Sequence, residues 1–442
     1  MLQHLPKMAA ISRTLRPLAT SLWVILLVAA IARVAFAADQ ARQISSEVLS
    51  VVPFSNEAGS IAYSLTNGHG FSSPFRRDTG PTAWLAPVYP VLLAGIFKVF
   101  GPFTLRAFYA ALSLNLIFSM LVTIALYLAG KRLGGIAVAS VAAWLWALFP
   151  NAFVIPFEWI WDTCLSALLG AGILLATLAV GDCRKSRPWI AYGLLWGVAL
   201  LTNPAFASLL PFLFAWLLWN GQKSIAGFSW RRPALAAAVA LLCCLPWTIR
   251  NYAVFHRFIP LRSNLPFELW LGNNEVFDDQ AHSPMGSRVT IYGETRRYFQ
   301  LGETAFMDEK WSKAKSFILS HSALEMRLTR DRIFAMWIGT AHPIRDFRGT
   351  DSLLARFSLV ANALATLGSV LGMVALARTR NSLAFPVATV AVIFPCIYYV
   401  THASLRYRHP ADPALLLLTA FALVELSRWS VRKTDAESTQ PA

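Results

Sequence analysis

Long apolar runs separated by short basic turns dominate the chain, and two longer, more polar stretches, 38–103 and 250–352, break that pattern. A helix of about 20 apolar residues crosses a hydrocarbon core about 30 Å thick, so the runs are read as membrane spans. The first covers about Leu15 to Ala38, behind Lys7, Arg13 and Arg16. Its end, Ala35-Phe36-Ala37, resembles a signal-peptidase site, but the run is long and more membrane follows, so it is read as a retained anchor. Further spans are predicted at 104–129, 135–153, 163–181, 189–203, 205–219, 234–249, 353–377, 383–400 and 411–429. The pair 189–203 and 205–219 is short and is split by Thr202-Asn203-Pro204, which leaves a broken helix open there.

The run Leu85 to Phe100 decides the orientation. If it crosses, the clusters Lys131-Arg132, Arg184-Lys185-Arg187, Lys223 with Arg231-Arg232, and Arg378-Arg380 all fall outside, against the tendency of Lys and Arg to stay cytoplasmic. As a helix it would be only about 24 Å long, and it opens with Pro87 and Pro90. It is therefore predicted to lie in the outer interface, inside one long first outer loop. The expected class is all-α: a polytopic membrane protein of about ten spans with both ends cytoplasmic. It divides into a membrane core, 1–249, carrying the first outer loop 38–103; a polar outer region, 250–352; C-terminal spans, 353–430; and a polar tail, 431–442, expected to be disordered. Within the polar region, Tyr298, Leu301, Phe306, Trp311, Ala314, Phe317 and Ile318 recur at near-helical spacing, predicting amphipathic helices. A structural cap and a lid over a site are both open for it, the cap being preferred.

Composition agrees with this reading. The chain has 442 residues, 56% of them hydrophobic and 14% charged, against about 25% charged in globular domains. Its mean hydropathy is +0.51. The formal charge of +16 does not point to nucleic acid, because the cations cluster beside apolar runs. Cys164, Cys183, Cys243, Cys244 and Cys396 lie in or beside those runs without metal-ligand spacing, so neither a disulfide framework nor a zinc site is indicated.

Outer loops should be poor in cations, yet the stretch THASLRYRHPAD puts Arg406, Arg408 and His409 at an outer mouth, and Arg250 stands at the outer end of another span. An anionic lipid headgroup, most simply a phosphate, would explain them; snorkelling or a salt bridge to Asp412 is the alternative. Three carboxylates share the same side. Glu158 and Asp162 are four apart and would share one helical face, a pair for a metal or an acceptor, or else a loop edge or a helix N-terminal charge. Glu57 follows Ser55-Asn56 and precedes Ala58, Ile61, Ala62 and Leu65, so it is either a functional carboxylate at the membrane surface or a helix N-terminal charge. Trp84, Tyr89, Trp159, Trp161, Trp247 and Trp270 are read mostly as interfacial belt residues. Asn273-Asn274 is a turn first and a hydroxyl-binding pair second; Asn56, Tyr89, Asn273 and Asn274 are the sugar-binding candidates.

Four stretches, NEAGSIAYSLTNGHGFSSP, TAWLAPVYPVLLAGIFKVFG, PWTIRNYAVFHRFIPLRSNLPFELWLGNN and RYRHPADPALLLL, within this topology resemble the GT-C glycosyltransferases that use polyprenyl-phosphate sugars. The likeness is to protein O-mannosyltransferase, aminoarabinose transferase and, more distantly, the oligosaccharyltransferase catalytic subunit. It implies a bacterial inner-membrane enzyme that moves a sugar to an acceptor hydroxyl at the outer face, with inversion. Such families carry Asp-Glu in the first outer loop with the Asp catalytic; here the pair is Asn56-Glu57, so the base carries over to Glu57 with a shift of one residue. The resemblance also places Glu158 or Asp162 at the second-loop acidic position, which helps bind a metal in the oligosaccharyltransferase relatives. Transferases of the mannosyl and arabinosyl type need none, so no metal is assigned and a divalent cation stays open. The implied partners are a polyprenyl-phosphate sugar, membrane lipids and an acceptor of unknown kind. The alternatives are a transporter or flippase of a lipid-linked anion, with the same arginines on headgroups, and a polymerase or ligase of surface polysaccharide.

Overall fold

The computed structural model describes residues 19–42, 54–75, 77–158, 160–224, 229–274 and 288–438, which are helical apart from turns and one isolated bridge, Ser72 to Pro81. Among the described residues, seven helices are long and apolar enough to cross a membrane: Leu22–Ala41, Leu105–Leu148, Thr163–Val180, Pro204–Gly221, Arg231–Phe255, Leu353–Arg378 and Asp412–Ser430. The 44-residue helix is two arms, because Gly134 and Gly135 leave helical geometry, Gly135 at φ +81° where a side chain is strained. The arms run antiparallel: Trp146 Nε1 donates to Ser119 O at 2.9 Å, Ser119 Oγ to Ala152 O at 2.8 Å and Asn115 Nδ2 to Pro156 O at 3.1 Å. With the shorter apolar helices Ser186–Leu200 and Ala384–Val400, the described residues reproduce the predicted spans.

The predicted break at Thr202-Asn203-Pro204 is present. Asn203 caps the next turn, its Oδ1 accepting from Ala205 N at 3.1 Å, and Pro204 starts a 3-10 turn, Pro204–Leu209. Ala384–Val400 is similarly interrupted at Phe394-Pro395. The first helix buries Ile25, Ala29, Arg33 and Ala37 every fourth residue and leaves Trp23, Leu27, Ile31 and Val34 exposed, as a lipid-facing helix should. Arg33 is satisfied inside the bundle: it donates to Ser119 Oγ at 3.0 Å and to the carbonyls of Ala29, Trp146 and Ala147.

Val88–Phe100 does not cross. Its start is tied to the end of another helix, Val88 N donating to Leu201 O at 3.1 Å. Its far end packs in an aromatic knot at the same end of the bundle, with Phe97 and Phe103 5.2 and 5.8 Å from Phe54 between ring centres. The remaining alternation puts all four basic clusters at the opposite end, where Trp216 Nε1 donates to Ser382 O at 3.0 Å and Arg132 to Leu178 O at 3.4 Å.

The polar region forms the helices Leu265–Gly272, Arg288–Leu301, Glu303–Ser320, Ser322–Ile338 and Pro343–Gly349. Tyr298, Phe306, Ala314 and Phe317 are buried as their spacing predicts, whereas Trp311 is exposed. Lys310, one residue earlier, takes the inward position and lies 3.7 Å over the Trp270 ring. The last helix runs from Asp412 to Ser438, and 439–442 lie outside the described residues.

Candidate active site

Loops at the end away from the basic clusters converge on a cavity of about 300 Å³. Leu85, Pro204, Ala205, Ala207 and Ile397 give it an apolar wall; Asp162, Arg262, Glu268, His402, Arg406 and Tyr407 give it a polar one. A few convergent polar groups on an apolar wall are typical of a small-molecule site.

Each polar group is held from a different element. Asp162 ends the turn before Thr163–Val180 and accepts from Ser166 Oγ at 3.1 Å. Burial raises its carboxyl above the ordinary value, and Arg262 and Arg406 pull against that. Glu268, on Leu265–Gly272, accepts from Asn264 Nδ2 at 2.7 Å and faces His402 Nδ1 at 3.4 Å. His402 Nε2 lies 2.7 Å from the Tyr407 hydroxyl, which also accepts from Arg406 Nη2. The Arg406 guanidinium is sandwiched 4.4 Å from the Trp161 ring and 4.5 Å from the Tyr407 ring. Tyr398 stacks on Tyr407 at 4.9 Å and 20°.

Glu57 is half-buried in a single π-helical turn, Ser55–Gly59, just after Phe54 enters the aromatic knot. Gly59 presses on the Phe54 carbonyl, leaving no room for a Cβ. Burial pushes the Glu57 carboxyl up to about 7; its own backbone N–H opposes this, Glu268 adds to it and Arg406 opposes it. Glu57 is therefore within electrostatic reach of two residues lining the cavity.

Of the sequence candidates, Asp162 and Arg406 line the cavity; Glu57 does not line it and is linked to it only through the charges of Glu268 and Arg406 acting on its carboxyl. The side chain of Asn56 lies outside the described residues. Others are committed elsewhere. Arg250 holds the first loop instead of a ligand, donating to Thr82 O at 2.6 Å and Phe71 O at 2.8 Å. Arg408 is fully buried, on Asp412 Oδ1 at 2.7 Å, Trp337 O at 2.6 Å and Asn362 Oδ1. His409 faces the same Asp412 at 3.2 Å and stacks on Trp146; the salt bridge that was the alternative reading applies to Arg408. Glu158 is exposed at the end of Asn151–Glu158 and does not line the cavity. Tyr89 is buried in the core. Asn273 bonds Leu269 O, Val400 O and Arg332, and Asn274 bonds Trp270 O and Leu271 O: both close turns. Among the described residues no three His, Cys, Asp or Glu side chains are grouped to hold a metal. Arg262, Glu268, His402 and Tyr407 were not singled out from sequence, although all four lie within two of the quoted stretches.

Residues 84–249 match the family model described as dolichyl-phosphate-mannose-protein mannosyltransferase; the match includes Asp162 and Asn203 but neither Glu57 nor Arg406. In three dimensions the chain is similar to the Archaeoglobus fulgidus oligosaccharyltransferase tethered with an acceptor peptide containing the NVT sequon, with TM-score 0.52 and 13% identity over 94% of this chain and 50% of that one. The apo form of the same archaeal protein gives TM-score 0.51 and 13% identity over 94% and 51%. The chain has the GT-C fold. It spans about half the length of those archaeal proteins. ArnT from Cupriavidus metallidurans bound to undecaprenyl phosphate matches at TM-score 0.39 and 14% identity, over 84% of this chain and 73% of that one. No curated protein matches the chain.

Proposed function

We propose that this GT-C protein is a glycosyltransferase that takes a sugar from a polyprenyl-phosphate donor and passes it to an acceptor hydroxyl at the outer face of a bacterial inner membrane. The observation that carries the reading is one cavity in which Arg262 and Arg406 face Asp162 and Glu268 with Glu57 within electrostatic reach. The family model over residues 84–249 supports the lipid-phosphate donor. The basic clusters at the opposite end support an outward-facing cavity.

In this reading the donor phosphate docks on Arg406 and Arg262, whose guanidinium groups offer planar forks to its oxygens. Glu57 accepts the proton of the acceptor hydroxyl as its oxygen attacks the anomeric carbon. The bond from that carbon to the phosphate oxygen breaks with its electron pair on the phosphate, where the arginines meet the developing charge. One displacement inverts the anomeric centre. A carboxyl titrating near 7 suits a base that works at neutral pH.

The test is sugar transfer or donor hydrolysis by purified protein in lipid, offered a panel of radiolabelled polyprenyl-phosphate sugars. Consumption of one donor, abolished in Glu57→Gln while donor binding persists, supports transferase and base together. A fully active Glu57→Gln moves the base to Asp162. Labelled lipid crossing the bilayer with no donor consumed sinks the enzyme reading.

A further inference from the structure

His402, Tyr407 and Arg406 form a hydrogen-bonded chain along one wall of the cavity, and the Glu268 carboxylate lies 3.4 Å from the far ring nitrogen, His402 Nδ1, without a hydrogen bond to it. A carboxylate 3.4 Å from Nδ1 favours the imidazole proton on that nitrogen, which leaves Nε2 to accept the Tyr407 O–H at 2.7 Å. Tyr407 thus receives from Arg406 and gives to His402. The chain runs from a cation toward an anion through two neutral groups, and its direction depends on whether His402 carries one proton or two.

We propose that lipid-phosphate binding at Arg406 is coupled to proton uptake by His402, with Tyr407 as the switchable link; this rests on the phosphate reading of the cavity. When His402 gains its second proton, Nε2 becomes a donor. The Tyr407 oxygen then accepts from both neighbours, and its own hydrogen turns into the cavity, toward a phosphate oxygen. One proton therefore adds a positive charge and a directed donor to the phosphate site.

The charged and titratable neighbours fit a group poised for this. Glu268 faces His402 from Leu265–Gly272, Arg332 from Ser322–Ile338, and Arg406 and Tyr407 from Leu405–Arg408, while Asp162 and Arg262 line the same cavity. Burial holds His402 below its ordinary value, Glu268 opposes this, and Arg406 and Arg332 add to it. Burial and the two arginines thus favour the neutral imidazole in the absence of phosphate. An arriving anion partly cancels the two arginines and stabilises the imidazolium. Departure of polyprenyl phosphate after transfer would release the proton again.

The test is the binding of polyprenyl phosphate to the full-length protein in lipid nanodiscs, from pH 6 to 8. Protons taken up are counted from binding enthalpies in two buffers of different ionisation enthalpy. Wild type should take up more protons than His402→Gln, and its affinity should tighten more steeply as pH falls, the difference in slope reaching up to about tenfold per pH unit. Equal uptake in the two proteins overturns the coupling while leaving the phosphate site in place. If wild type binds no polyprenyl phosphate, both readings fall. Should His402→Gln not fold, Tyr407→Phe carries the test, because it removes the link. It should weaken binding about tenfold and lower the uptake, and unchanged affinity and uptake overturn the proposal.

Discussion

Glu303 Oε1 accepts the backbone N–H of Ala83 at 2.8 Å, joining the polar region to the first long loop across 220 residues of sequence. The same carboxylate also receives Ser263 Oγ at 2.7 Å, Tyr298 OH at 2.9 Å and Thr82 Oγ1, so one anion at the N terminus of Glu303–Ser320 gathers three segments. Trp84 and Leu85 follow directly, and Leu85 is on the cavity wall. Replacing the anion by a methyl group leaves several buried donors without an acceptor. Glu303→Ala should therefore cost about 3 kcal/mol or more in stability, read as a lower unfolding temperature. The first loop should also become more accessible to protease than in Glu303→Gln, which keeps part of the network.

Arg406 and Arg408 are two residues apart and should fail in different ways. Arg408 is fully buried against an equally buried Asp412, so Arg408→Ala strands a carboxylate in the bundle, at a cost of about 3–5 kcal/mol. It should reduce the yield of folded protein in detergent. Arg406 faces the cavity between Trp161 and Tyr407. Arg406→Ala should fold with an unfolding temperature near wild type and lose donor turnover by at least about tenfold, as expected for removing one charge-assisted contact. Size-exclusion profiles and donor consumption measured side by side separate the two.

The contrast between these arginines shows what the sequence can and cannot carry. The spans, the hinge and the non-crossing helix were legible because they rest on local chemistry: apolar length, Pro87 and Pro90, and which side the basic clusters occupy. Arg250, Arg406 and Arg408 look alike in sequence, each a cation on the outer side. What distinguishes them is the direction in which each points, fixed by packing among segments far apart in the chain. Arg250 meets Phe71 and Thr82, and Arg408 meets Trp337 and Asn362. Glu268 and His402 were passed over for the same reason, since Leu265–Gly272 and the 401–404 loop come together only in the folded bundle. A usable signal was present nonetheless: Arg262, Glu268, His402 and Tyr407 are all polar groups within apolar or aromatic stretches between predicted spans.

Helix packing in the C-terminal half depends on two glycines. Gly368 and Gly372, four residues apart on Leu353–Arg378, face Thr419 and Leu418 on the last helix so closely that a Cβ on either would collide. Small residues at this spacing let helix backbones approach in a membrane, where lipid gives no hydrophobic incentive to associate. Gly372→Leu should push the helices apart and cost about 1–3 kcal/mol. An apolar side chain suffices for the test, since the obstacle is the Leu418 backbone. Thermal unfolding in detergent should show the loss, and Leu364→Ala, at an exposed position on the same helix, should not.

Glu57 ties pH to both activity and stability, with opposite signs. As the proposed base it must be ionised, so turnover should rise with pH along a limb centred near 7. Because Glu268 repels the ionised form and Arg406 attracts it, Glu268→Gln should move that limb to lower pH and Arg406→Ala, in its residual activity, to higher pH. Stability runs the other way. Folding raises this carboxyl above its ordinary value near 4.5, so the folded state holds the proton more tightly than the unfolded chain. The stabilisation from the bound proton is complete below about 4.5, declines as pH rises toward about 7, and is absent above that. Glu57→Gln, which keeps the neutral shape at every pH, should unfold at a higher temperature than wild type at pH 8 and at nearly the same temperature at pH 4.5, while turning over no donor. An acid limb that stays put in Glu268→Gln, or a Glu57→Gln protein no more stable than wild type at pH 8, would show that the carboxylate is not strained in the way its surroundings indicate.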